Sequence, residues 1–270
     1  MLTTAELLDG SDENLAVHAA AASSRLPGAR VDRGAGLVLV DSGLPCDTFN
    51  FVCNTRLSTA NAHARVRDAL AFFDVTGHPF SWWLGPGFTP AELPDVLGEL
   101  GLAPAESETA MALDLRTLPA SAPAVPGLAI ARVRTPADLA AFAQVSAANW
   151  DPPDPQVIRY YAMAAEALLK PDAAQRLYLG RFDGEPAATA EATVGGGLVG
   201  LYNIATRPAF RRRGIAMAMT RAALIFSAAD GLTTGILQAS DAGVGVYARL
   251  GFRAFGTVTE FKPDAGPEAA

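Results

Sequence analysis

The chain has 270 residues, half of them apolar and 18% charged, with a net charge of −7 at neutral pH. Such a length and apolar share supply a globular core, in two modest domains or one large one, and exclude a disordered chain. The acidic balance argues against general binding to nucleic acid or to anionic membranes.

The N-terminal residues lack the basic-then-apolar order of a leader, and no apolar run approaches the ~18 residues that cross a bilayer. With only Cys46 and Cys53 as thiols, the expectation is a cytoplasmic protein with reduced cysteines, both read as ordinary half-buried thiols. Strand patterns follow at Leu37–Asp41, 48–56 and 80–84, and helical ones at 61–73 and 90–100, with a further strand at 110–115. Trp82 and Trp83 are neighbours on a strand and so face opposite ways, one toward a core and the other toward an interdomain cleft. His18, His63 and His78 are isolated, without metal-ligand spacing, so no metal is expected.

Pro119, Pro123 and Pro126, set among small residues in 117–127, mark a linker. Beyond it come a strand at 128–133, a helix at 136–149 and, past Pro152 and Pro153, a second helix at 154–169. Strands at 176–182 and 186–194 read as a hairpin turned at Asp183-Gly184, and Leu198–Thr206 reads as a third strand. The order closes with the helix Ile215–Ala229, a strand at 235–240, a short helix at 243–250 and strands around 252–261. The predicted class is α+β. One internal echo stands out, because Leu100-Gly101-Leu102 lies between a helix and a strand as Leu250-Gly251-Phe252 does.

Residues 192–229 contain no Asp or Glu, yet hold Arg207, Arg211, Arg212, Arg213 and Arg221, a basic island in an acidic protein. Within it the strand stops at Pro208 and turns through a cationic loop into a helix. Unpaired backbone amides at a helix start, with Gly214 allowing close approach and Ala216 keeping the first turn thin, suit a pyrophosphate. Two dinucleotide-like patterns are poorer candidates. Gly195-x-Gly197-x-x-Gly200 precedes a strand and reads as a hairpin turn. Gly243-x-Gly245-x-x-Ala248 opens a helix that must end near Gly251, with only Asp264 about twenty residues on.

The loop resembles the acyl-CoA loop of the GCN5-related N-acetyltransferase (GNAT) family, whose pattern Arg/Gln-x-x-Gly-x-Gly/Ala is met by Arg211, Gly214 and Ala216. Leu237-Gln-Ala-Ser240 and Val246-Tyr-Ala-Arg-Leu-Gly-Phe252 resemble the family's late strand and its Tyr-x-x-Leu-Gly-Phe signature. The resemblance covers roughly 127–262. It implies two GNAT-like mixed α/β domains, each a mostly antiparallel sheet flanked by helices. The division expected is a degenerate copy at 1–116, the linker 117–127 and a catalytic copy at 128–264. The first copy's turn between Arg56 and Ala64 has no glycine, and Leu97 stands where the second copy has Tyr247.

The resemblance further implies acetyl transfer from acetyl-CoA to a primary amine of a small molecule in a ternary complex, without a metal. The cofactor residues expected are Ile204, Ala205, Thr206, Arg211, Arg212, Arg213, Gly214, Ile215, Ala216 and Ser240, the serine standing where relatives often have Asn. Tyr247 is the expected general acid, since a phenol stays protonated at neutral pH. Many relatives place a Glu on the strand before the loop, but Leu198–Thr206 has no carboxylate, which leaves Glu191 as the candidate base and favours a low-pKa amine as acceptor. Trp150 and Asp151 are expected to border the acceptor. A non-catalytic acyl-CoA-binding protein and an enzyme acting on a protein amine are the alternatives.

Overall fold

A computed structural model describes residues 2–119 and 124–264; Pro123 of the expected linker lies outside the described residues. The first half runs α1 (Thr4–Ala20), β1 (Arg30–Gly34), β2 (Leu37–Asp41), β3 (Phe51–Cys53), α2 (Ala62–Asp74), β4 (Ser81–Leu84), α3 (Leu93–Glu99) and β5 (Leu102–Asp114). The second runs β6 (Leu128–Arg132), α4 (Pro136–Ala147), α5 (Pro155–Met163), α6 (Ala165–Leu168), β7 (Gln175–Phe182), β8 (Glu185–Gly195), β9 (Leu198–Thr206), α7 (Ile215–Ala229), β10 (Thr234–Ala239), α8 (Asp241–Arg249) and β11 (Arg253–Pro263). The α+β class expected from sequence is what the chain adopts.

All eleven strands form one sheet in the order β1-β2-β3-β4-β11-β5-β10-β9-β8-β7-β6. The halves therefore exchange their last strands. β5 pairs with β10 of the second half, and β11 pairs with β4 of the first. The two exchanged strands lie antiparallel to each other from Arg253↔Ala112 to Pro263↔Leu102. Each is long because it must reach both its host half and its counterpart. The echo in sequence has a backbone cause: Gly101 and Gly251 both sit at positive φ (84° and 98°), ending α3 and α8 and launching the exchanged strands.

The halves correspond element by element about this seam. β3 and β4 are parallel neighbours bridged by α2, as β9 and β10 are bridged by α7. Leu97 is fully buried in the core that packs α2 and α3 on the sheet, which explains why no tyrosine stands there. Trp82 belongs to that core, while Trp83 packs on the opposite face with α1 and Tyr202. In the second half α7 and α8 cover one face, with Met219, Leu224, Leu201 and Leu237 at the centre, and α4 and α5 cover the other.

The helix α1 is the element that sequence periodicity misses. It opens with a capping box in which Thr3 and Glu6 satisfy each other's backbone donors. Its inner face is polar, however, with Ser11, Asp12 and Asn14 buried. Asn14 donates to the carbonyls of Thr193, Gly195 and Leu198 and accepts from the Tyr202 hydroxyl at 2.9 Å, clipping α1 across the β8–β9 hairpin. A Cβ on Gly10 would lie 2.7 Å from the Gly196 carbonyl, and one on Gly200 would collide with Asn14, so the helix rides on glycine at both contacts. The Gly195-x-Gly197 pattern thus serves as a hairpin turn, as its place before a strand predicts. Cys46 and Cys53 are free and more buried than expected.

Candidate active site

The site is organised by where β9 leaves its neighbours. Against β10 it pairs only from Val199↔Gly235 to Leu201↔Leu237, and no ladder bond follows on that side. Against β8 the register slips by one residue between Thr189↔Ala205 and Glu191↔Tyr202, a β-bulge in which Asn203 takes φ 50°. Beyond the bulge, Ala205 and Thr206 still pair with β8, while Ile204–Thr206 have no β10 partner on the other edge, which leaves an opening between β9 and β10. A strand edge with unpaired N–H and C=O groups needs partners, and an extended amide-bearing chain laid in the opening would supply them.

At the end of β9 the chain passes Pro208 and enters α7 through Arg212 (φ 62°) and Gly214 (φ 76°), both left-handed. The first helical bond runs from Ala218 N–H to the Gly214 carbonyl, so the amides of Ile215, Ala216 and Met217 precede the ladder, with no side chain capping them. A Cβ at Gly214 would find nothing nearer than 3.9 Å, so the bend is open rather than packed. A groove of about 380 Å³ lies over these amides, lined by Thr206, Arg211, Arg212, Gly214, Val246 and Arg249 among others. The Thr206 hydroxyl oxygen is shielded from solvent and lacks a partner, a further group with unused hydrogen-bonding capacity in this wall.

Of the three loop arginines, two face the groove. Arg211 is held there by its Nε–H to the Thr206 carbonyl at 3.0 Å. Arg213 instead stacks on aromatic rings, its guanidinium 5.0 Å above the Phe182 ring and 6.0 Å from that of Phe210, and it does not line the groove. Arg249, on the last turn of α8, supplies a cation that the loop motif does not contain. Ile204 and Ala205 contribute backbone rather than lining side chains, since Ala205 is buried and Ile204 packs on the core beneath α7.

Ser240 caps α8 at the exit of β10, making no side-chain capping bond. Two helix turns on, Tyr247 lies over Gly243, where a Cβ would approach its ring at 3.3 Å, and edge-on to Phe252. Burial pushes its phenol up, and the negative charge of Glu108 adds to the shift, so Tyr247 holds its proton firmly. Glu108, from the exchanged strand β5, is itself pushed up to about 7 by burial and by Glu106 and Glu260.

Glu191 projects from β8 to the opposite face and is 1% exposed. Its carboxylate accepts from Thr193 Oγ1 at 2.6 Å, His18 Nδ1 at 2.7 Å, Asn203 Nδ2 at 2.9 Å and Gln175 Nε2 at 3.2 Å. Burial pushes the carboxyl up, but His18, Thr193 and Asn203 outweigh it and hold the group below the usual range. A carboxylate with this many donors is a hub, not a poised base. A cavity of about 40 Å³ adjoins it. Among the described residues that line this cavity, neither Trp150 nor Asp151 appears: both are exposed on the turn between α4 and α5, which is anchored by Asp154 as the N-cap of α5.

Residues 114–241 match the family model of the acetyltransferase (GNAT) domain. This stretch of the chain is a GCN5-related N-acetyltransferase domain. The match runs from the end of β5 into the start of α8 and includes the α7 loop. A GNAT protein from Kribbella flavida is similar over 94% of this chain and 97% of its own, with a TM-score of 0.71 at 20% identity. One from Sphaerobacter thermophilus covers 94% and 92%, with a TM-score of 0.61 at 16% identity. A tandem GNAT protein from the clavulanic acid biosynthesis pathway covers 98% and 96%, with a TM-score of 0.60 at 18% identity. These likenesses extend the fold to the first half, which the family model does not reach. No curated protein sequence matches the chain. No helix among the described residues is long and apolar enough to cross a membrane, and no group of three His, Cys, Asp or Glu among them is placed to hold a metal.

Proposed function

We propose that this GNAT protein transfers an acetyl or short acyl group from acetyl-CoA to a primary amine of a small molecule, directly within a ternary complex in the cytoplasm. The observation that carries the reading is the left-handed bend at Gly214, which delivers the unladdered amides of Ile215, Ala216 and Met217 to an open groove at the end of a diverging strand.

In this reading the pyrophosphate rests on those amides with Arg211, Arg212 and Arg249 around it. The amide-bearing arm of CoA runs along the free edge of Ile204–Thr206, past Thr206 and Ser240. The thioester reaches the bulge at Asn203, and Tyr247 protonates the departing thiolate, consistent with its raised pKa. The acceptor approaches from the α1 and α5 face, with Trp150 and Asp151 at its rim. Glu191 serves the acceptor side through what it holds in place.

Thermal unfolding with and without acetyl-CoA tests the binding step. Saturation at a hundred times Kd stabilises the chain by about 2.7 kcal/mol, and a panel of small primary amines followed by thiol release then tests transfer. An unchanged unfolding temperature with every acyl-CoA would overturn the proposal.

A further inference from the structure

An amine that attacks a thioester must surrender a proton, and Glu191, already ionised and fully engaged, is a poor group to receive it. Its shortest contact from another element is to His18. That histidine lies on α1 one turn after Asn14, the residue that clips the helix to the β8–β9 hairpin, so both side chains share the face turned toward the sheet. The imidazole is stacked on Tyr202 at 3.8 Å and 6°, and meets Phe51 edge-on at 6.2 Å. Its tilt and position are thus fixed from three sides. A neutral ring that donates its Nδ1–H to Glu191 carries its lone pair on Nε2, the nitrogen that a proton would enter.

His18 also lines the small cavity beside Glu191, together with Phe49, Tyr160, Tyr161 and Asn203. Its volume of about 40 Å³ admits an amino group or a single water but not a ring. Asn203 belongs both to this wall and to the bulge at which β9 departs from β10, so the cavity and the proposed thioester position share one residue. The walls come from both halves of the chain: His18 and Phe49 precede the linker, and Tyr160, Tyr161 and Asn203 follow it.

We propose that His18 is the general base of acyl transfer and Glu191 the residue that positions it, so that the amine site is completed only by the N-terminal half. The inference rests on the acyl-transfer reading above. In the step, the amine nitrogen bonds the thioester carbon while His18 takes one proton from that nitrogen, directly or through one water. The carbon–sulfur bond then breaks and the thiolate takes the Tyr247 proton. His18 returns its proton to solvent and the phenol is reprotonated, leaving amide and free CoA. An imidazole base removes the restriction to low-pKa acceptors that the missing carboxylate on β9 suggests, and admits ordinary aliphatic amines. The titratable groups around His18 are Glu191 from β8, Tyr202 from β9, and Tyr160 and Tyr161 from α5.

Two measurements test this. Nitrogen-15 NMR of the three histidines in the full chain should show His18 with its proton on Nδ1, and Glu191→Gln should disturb that assignment; a proton resident on the other nitrogen of the neutral ring overturns the proposal whatever the acceptor. With acetyl-CoA and phenethylamine or hexylamine as probes, His18→Asn should lower kcat by about a hundredfold or more, leave KM for acetyl-CoA unchanged and abolish the acidic limb of the rate profile. Added imidazole should restore part of the turnover of His18→Ala, which a purely structural role does not predict. Wild-type rates in a His18→Asn variant that still binds acetyl-CoA would remove the base and spare the acyl-transfer reading, whereas failure of the wild type to bind acetyl-CoA would remove both.

Discussion

The two halves of the sheet present the same junction, a strand entering a helix beside a parallel neighbour, and treat it in opposite ways. In the first half the gap between β3 and β4 is stitched shut. Leu57 N–H reaches the Thr89 carbonyl at 3.0 Å and Thr89 N–H reaches that of Thr55 at 3.2 Å. Arg56 is spent on Asp9 and on the buried Asp12, which also accepts from the Gly87 amide. The first amide of α2, that of Ala62, is occupied by the Ser58 carbonyl. In the second half β9 and β10 separate after Leu201↔Leu237, Gly214 turns left-handed, and three helix amides stand unladdered. On the proposed reading, the difference is what an anion cradle requires in this fold. It is the absence of local partners for backbone donors, and a positive-φ residue that lets the chain turn without filling the space it exposes.

Perturbations that act on one half and not the other test this contrast. Tyr247→Phe should have the largest effect, lowering kcat by about a hundredfold or more in thiol-release assays, with acetyl-CoA affinity within twofold of wild type. Next, Gly214→Val forces a β-branched side chain into the left-handed region at a cost of about 1–2 kcal/mol, so acetyl-CoA affinity measured by calorimetry should fall roughly tenfold. Asn61→Ala, at the matching helix start of the first half, should leave that affinity unchanged. Asn14→Ala removes the clip of α1 and strands buried carbonyls, which should destabilise the chain by about 2 kcal/mol in denaturant titrations.

The smallest effect concerns Glu108, whose carboxyl rises from an ordinary value of 4.5 to about 7 in the folded chain. Its contribution to stability is fully present below pH 4.5 and is lost as pH rises through 7. Glu108→Gln, neutral at every pH, should therefore match the wild type at pH 4 and unfold at a higher temperature above pH 7. Equal unfolding temperatures at pH 8 would contradict the burial assigned to this carboxyl.

What the sequence discloses follows the range of the interactions concerned. The α7 loop is legible because its chemistry is local, contained between Thr206 and Ala216. The echo at Gly101 and Gly251 is legible for the same reason. The strand exchange is not, because β5 and β11 carry no mark of which half they will join; their choice depends on the antiparallel pairing they make with each other. Nor does apolar periodicity reveal α1, since its buried face carries Ser11, Asp12 and Asn14, and only the Thr3-x-x-Glu6 capping signature announces it. Missing that helix is what makes His18 look isolated and Glu191 look like a free base, although the two are in contact across 173 residues of chain. Likewise Arg213 looks equivalent to Arg211 until Phe182 and Phe210 are seen to claim it.

The central claim is that only one of two similar halves holds acyl-CoA, and titration calorimetry of the full chain with acetyl-CoA measures it directly. The expected stoichiometry is one per chain, with the affinity weakened by Gly214→Val and untouched by Asn61→Ala. Two sites per chain, or one that survives Gly214→Val and disappears with Asn61→Ala, would contradict it.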